Sequence, residues 1–183
     1  MIGGHTGTGA IMRLVQMIGW LNVIVLAGVV QAVPAAELPK ESTLPVALAT
    51  KAAAGAFDKC KEDGYRVSVA VVNRDGVLTA FMRASGAGPH TVSSSTKKAY
   101  TAASLRRSTG ELADLIAKQP ALQSLRDMDP NILILGGGLP IEIGGEVIGA
   151  IGVGGAPGSQ FDEACARAGL ESIGAAPKAA GGK

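Results

Sequence analysis

This 183-residue chain has few side chains able to hold a ligand or a metal, with 2 histidines, 2 cysteines and 3% aromatic residues. One stretch gathers the candidates: Arg83 to Arg107, RASGAGPHTVSSSTKKAYTAASLRR. It opens as a Gly/Pro loop that carries His90 and closes as a helix of small residues, with Lys97, Lys98 and Tyr100 set among them. A neutral imidazole offers a nitrogen donor to haem iron or another transition metal, which makes His90 the metal-ligand candidate. Arg83, at the end of an expected strand, and Lys98, on the helix, are the two cations that can meet a carboxylate. Tyr100 can close a pocket wall. A blander reading stands beside each of these. His90 can be a solvated or capping loop residue, and Lys97 and Lys98 can be helix-surface charges. The small residues Ser95, Ala99, Ala102 and Ala103 favour close packing in a core before an interface.

The elements that must position these residues follow from periodicity and punctuation. Pro45 suits a first helical turn, and Val46, Ala49, Ala53, Ala56, Phe57 and Cys60 repeat at helical spacing until Gly64 stops the helix. Arg66–Val72 reads as a strand, Asn73-Arg74-Asp75-Gly76 as a hairpin turn and Val77–Arg83 as the returning strand. Thr91 or Ser93 can cap the next helix, which should run to about Arg106. Ser108 and Glu111 form a capping-box pattern for a helix ending near Lys118. A short turn of helix is expected over Ala121–Arg126. Strands are then expected at Asn131–Leu135, Leu139–Ile143 and Glu146–Val153, with Gly144-Gly145 as a tight turn. A last helix is expected over Phe161–Ile173, its first turn carrying Asp162 and Glu163 to suit the macrodipole. Strands joined by hairpins and flanked by helices make an α+β domain on an antiparallel sheet of about five strands, compatible with a profilin-like arrangement.

Several chemistries lack support. A net charge of +2 and no Lys/Arg run longer than two argue against nucleic acid. There is no CxxC for a zinc or iron–sulfur site. The glycine-rich run Gly136–Gly155 leads into Pro140 and a hairpin, not into the helix that a dinucleotide fingerprint needs. No GxSxG elbow supports a serine hydrolase. The carboxylate pairs Glu62-Asp63, Asp127/Asp129 and Asp162-Glu163 sit at element ends, where capping and solvation explain them.

The N-terminus points to export. Arg13 precedes the apolar run Ile18–Val30, and small residues around Ala35 and Ala36 resemble a cleavage site, so residues 1–36 read as an N-terminal extension and secretory signal peptide, with an uncleaved membrane anchor as the alternative. Residues 37–43 are then a linker, 44–174 the domain and 175–183 a disordered tail. The expected location is periplasmic or secreted, with no membrane contact after cleavage. His90 becomes the only histidine of the mature protein. In that compartment Cys60 and Cys165 can form a disulfide, or they can be two buried thiols.

From Leu44 to Ile173 the chain resembles the GlcG/HbpS-like haem-binding family, which includes the C-terminal domain of PduO-type proteins. The resemblance rests on Val69-Ala-Val-Val-Asn-Arg-Asp-Gly76, on Arg83 with Gly86-Ala-Gly-Pro-His90, and on Lys98-Ala-Tyr-Thr-Ala102. It continues through Gly137-Gly-Leu-Pro-Ile141, Gly149-Ala-Ile-Gly-Val-Gly-Gly155 and Asp162-Glu-Ala-Cys-Ala166. It implies a profilin-like sheet flanked by helices, assembly into homo-oligomers, and haem as the cofactor. It also implies haem scavenging, buffering or sensing, with haem degradation in part of the family. Lys98-Ala matches the family's Lys-Ala helix motif. Where members usually carry an acidic residue after the strand-two arginine, this chain has Ala84-Ser85. On this reading His90 ligates iron while Arg83 and Lys98 meet propionates. Two alternatives remain: a protein or enzyme binding a small hydroxy acid, and an oligomeric module with no ligand.

Overall fold

The computed structural model describes residues 37–175, so the expected signal peptide and tail residues 176–183 lie outside the described residues. Four strands form a single antiparallel sheet: β1 (Ser68–Asn73), β2 (Leu78–Arg83), β3 (Gly138–Ile143) and β4 (Glu146–Gly154). Their spatial order is β2-β1-β4-β3. Among the described residues, four α-helices accompany them: α1 (Val46–Glu62), α2 (His90–Leu105), α3 (Thr109–Lys118) and α4 (Ser159–Ser172). A 3₁₀ helix spans Pro120–Asp127. The expected α+β class and hairpin-built sheet are observed, with four strands where about five were expected.

The missing strand is Asn131–Leu135. Its backbone groups bond to side chains instead of a ladder: the Leu133 N–H donates to Thr101 Oγ1 at 2.8 Å, and Arg126 Nη1 donates to the Ile134 carbonyl at 3.0 Å. Ile132 and Ile134 are buried against Leu112 and Ile116 of α3. The apolar alternation that resembled a strand is an anchored loop, because its polar groups are satisfied without a neighbouring strand.

Alternation along the strands sorts the core into two faces. Val69 and Val71 of β1, with Ile151 and Val153 of β4, join a cluster that includes Ala49, Ala52, Ala53 and Ala56 of α1 and Ala166 and Leu170 of α4. Ala70, Val72 and Ala150 meet Ala99, Ala102 and Ala103 of α2. The small-residue stripe of α2 is thus a core face. Its closeness is visible at Gly152, where an added Cβ would lie 2.1 Å from the Ser95 carbonyl oxygen and 2.5 Å from the Ala99 nitrogen. No side chain fits between helix and sheet at that point.

Local signals fix the turns. Asn73 Oδ1 accepts from the Asp75 N–H at 3.0 Å and the Val77 N–H at 2.9 Å, closing the β1–β2 hairpin. Ser108 accepts from the Glu111 N–H at 3.1 Å, as the capping pattern requires. Cys60 and Cys165 form a disulfide linking α1 to α4. Ala175, placed by sequence in the tail, is buried, and its N–H donates to the Leu170 carbonyl at 3.0 Å.

Candidate functional site

The register places three strand ends together. Ser68, which begins β1, lies opposite both Arg83, which ends β2, and Gly154, which ends β4. The residue before β1, the loop after β2 and the loop after β4 therefore meet at one end of the sheet. Gly155 confirms the closeness: a Cβ there would lie 2.7 Å from the Arg66 carbonyl oxygen and 3.4 Å from Thr91 Cγ2.

Helix α2 starts on His90 itself, with Pro89 at the cap and no side chain capping it. Thr91 does not cap, and neither does Ser93. The Thr91 hydroxyl donates to the Gly88 carbonyl at 2.6 Å and pairs with the Ser68 hydroxyl at 2.7 Å, which pins the start of α2 to the start of β1. His90 is exposed. Its ring lies over Gly88, where an added Cβ would be 2.6 Å from His90 Cε1. Arg83 is also exposed, and its Nη2 donates to the Ala87 carbonyl of the same loop. His90 and Arg83 thus flank one short loop, as the sequence suggested.

Lys98 and Tyr100 go elsewhere. Lys98 is 2% exposed, and its Nζ donates to the Val153 carbonyl at 2.9 Å and to Asp162 Oδ2 at 2.8 Å. Neither a surface charge nor an outward-reaching cation, it joins α2 to the first turn of α4. Asp162 Oδ1 also accepts from the Ala156 N–H at 3.0 Å, so one carboxylate ties helix, strand end and loop together. Burial pushes the Asp162 carboxyl above its ordinary range, while the Lys98 ammonium and the Ala156 N–H oppose the shift. Tyr100 packs with Leu112 and Ile116 and covers the hairpin turn, where a Cβ on Gly76 would be 2.6 Å from its Cδ2. That turn is at the far end of the sheet, and Tyr100 lies ten positions along the helix from His90, about 15 Å along the axis.

Sequence reasoning passed over Arg66, which read as the first residue of a strand. It is exposed and precedes β1, and its side chain lies over Gly86. Glu163, read in the sequence as a solvated first-turn carboxylate, is instead partly buried. Burial raises the Glu163 carboxyl, and nearby Glu111 and Asp114 add to the shift, while the Gly137 N–H and Arg167 oppose it. A raised carboxyl favours the protonated native state, so its stabilising contribution is complete below the ordinary glutamate range and is lost as pH rises through the native value. Glu163→Gln should therefore unfold like the wild type below about pH 4.5 and become progressively more stable than it as pH rises. Paired thermal melts across pH would show this, and a pH-independent difference would contradict it. Among the described residues, no group of three histidine, cysteine or carboxylate side chains is placed to hold a metal ion.

Comparison with known proteins places this geometry in context. The family model described as "Haem degrading protein HbpS-like" matches residues 44–171. An uncharacterised 15.0 kDa protein from the dhaT-dhaS intergenic region of Citrobacter freundii is 36% identical over 115 residues, 62% of this chain and 81% of its own length. The crystal structure of a double mutant of Streptomyces reticuli HbpS is 41% identical, with a TM-score of 0.70 over 78% of this chain and 98% of that one. A PduOC–haem complex shares the fold, with a TM-score of 0.69 at 24% identity, over 74% of this chain and 99% of that one.

Proposed function

The chain belongs to the HbpS-like family, and on that premise we propose that it is an exported haem-binding protein whose site is the sheet end carrying His90 and Arg83. The observation that carries the proposal is the placement of an exposed imidazole and an exposed guanidinium at the two ends of one loop, Ala84–Pro89, which has no acidic residue. The donor set fits the group. An imidazole is a common axial ligand of haem iron, and guanidinium pairs well with propionate carboxylates. His90 would hold the iron and Arg83 a propionate. Lys98, whose charge is met by Asp162, and Tyr100, at the hairpin end, fall outside the set. When bound, haem supplies an iron centre whose reactivity depends on its axial ligand and surroundings.

Export is part of the proposal because the Cys60–Cys165 bond suits an oxidising compartment. Haemin titrated into the purified protein should give a saturable shift of the Soret band. His90→Ala should change the shape and position of that band and weaken binding by about tenfold or more, the loss of one good ligand interaction. A wild-type protein that leaves the spectrum of free haemin unchanged would end the haem reading.

A further inference from the structure

Three side chains converge on the loop after β2, and only two of them were visible in the sequence. Arg66 is the third. A Cβ built on Gly86 would lie 3.0 Å from Arg66 Nη1 and 3.2 Å from its Cδ, so the arginine runs across the bare backbone of Gly86. Gly86 has φ +83, a left-handed conformation that favours glycine, and it lacks the side chain that would lift Arg66 away. The next residue, Ala87, gives its carbonyl to Arg83, and the one after, Gly88, carries the His90 ring. Three consecutive backbone positions thus seat two guanidiniums and an imidazole, and Gly86 and Gly88 are at most about 7 Å apart along the chain.

Arg66 is held in place from its other side as well. Its carbonyl packs under Gly155, and Val67, which follows it, is buried. Among the described residues, neither guanidinium has a carboxylate partner. The ion pairs among the described residues are Lys59–Asp63, Arg74–Glu41, Lys98–Asp162 and Arg167–Glu163, and the first turn of α2 contains no acidic residue. Two cations lying against one loop without a counter-ion among the described residues are arranged for an anion. Guanidinium suits a carboxylate because its planar fork can donate two parallel hydrogen bonds.

Resting on the haem reading above, we infer that Arg66 is a carboxylate-binding residue of this site, partnering Arg83, so that the site selects a ligand bearing two carboxylates. The test compares haemin with its dimethyl ester, which keeps the iron and the ring but loses both negative charges. Wild-type protein should bind haemin more tightly than the ester. Arg66→Gln should shrink that preference by about tenfold, the loss of one charge-assisted contact, while leaving affinity for the ester and the melting temperature nearly unchanged. Arg66→Lys, which restores charge without the fork, should recover part of the preference. A haemin-to-ester ratio equal in wild type and Arg66→Gln would overturn the role of Arg66 alone. Wild-type protein that binds neither compound would overturn the haem reading, and this inference with it.

Discussion

Lys98→Met is expected to lower folding stability by about 3–5 kcal/mol, the usual cost of removing one partner from a buried ion pair. The side chains of Lys98 and Asp162 are 3% and 6% exposed. Methionine nearly preserves the shape of lysine but leaves the Asp162 carboxylate in the interior without its counter-charge. Asp162→Asn should be harmful for the mirror reason, since it strands a buried ammonium. The double variant Lys98→Met/Asp162→Asn carries neither charge, and its asparagine oxygen can still accept from the Ala156 N–H. It should recover most of the loss, because a neutral pair carries no uncompensated charge. Urea unfolding of the four proteins gives the coupling directly. Additive single losses would show that the pair is not a coupled unit. The site around it has no slack, since a Cβ on Gly137 would lie 2.9 Å from Lys98 Nζ and 2.7 Å from the Val153 carbonyl oxygen.

Loss of the Cys60–Cys165 bond is expected to cost about 4–5 kcal/mol. The two cysteines are 105 residues apart in sequence, so the bond closes most of the domain into one loop and strongly limits the unfolded chain. Both sulfur-bearing residues are fully buried between α1 and α4. Cys60→Ala/Cys165→Ala should unfold at a clearly lower urea concentration than the oxidised wild type, and adding reductant should leave the variant where it is. Equal midpoints for variant and wild type would contradict this account. The same residues bear on export: protein recovered from its own host and unfolded without reductant should resist alkylation at both cysteines, and free thiols there would contradict an oxidising destination.

Features with short-range causes were legible in the sequence. The apolar spacing of α1, the Asn73–Gly76 hairpin, the Ser108 cap and the Gly144-Gly145 turn each follow from residues within a few positions of one another. What escaped depended on distant partners. Lys98 resembled a surface lysine because Asp162, which draws it inward, is 64 residues away. Asn131–Leu135 resembled a strand because Thr101, which takes its backbone N–H, lies on another element. Arg66 resembled an ordinary strand entrance, and only the fold lays it across Gly86. The loop with His90 and Arg83 was legible as chemistry, since an imidazole and a guanidinium on a Gly/Pro segment without acidic residues are visible in the letters. The resemblance to haem-binding relatives gave that chemistry its ligand. Lys98, also read as a cation of the site from its place on the helix, instead serves the join between α2 and α4.

The most direct measurement is the haemin titration of wild type and His90→Ala side by side, followed through the Soret band. The site described here predicts saturable binding by the wild type, with a distinct band, lost or displaced in the variant, and weaker affinity while the fold is retained by circular dichroism. Identical spectra and affinities for the two proteins would place the ligand elsewhere on the molecule and contradict the site at the start of α2.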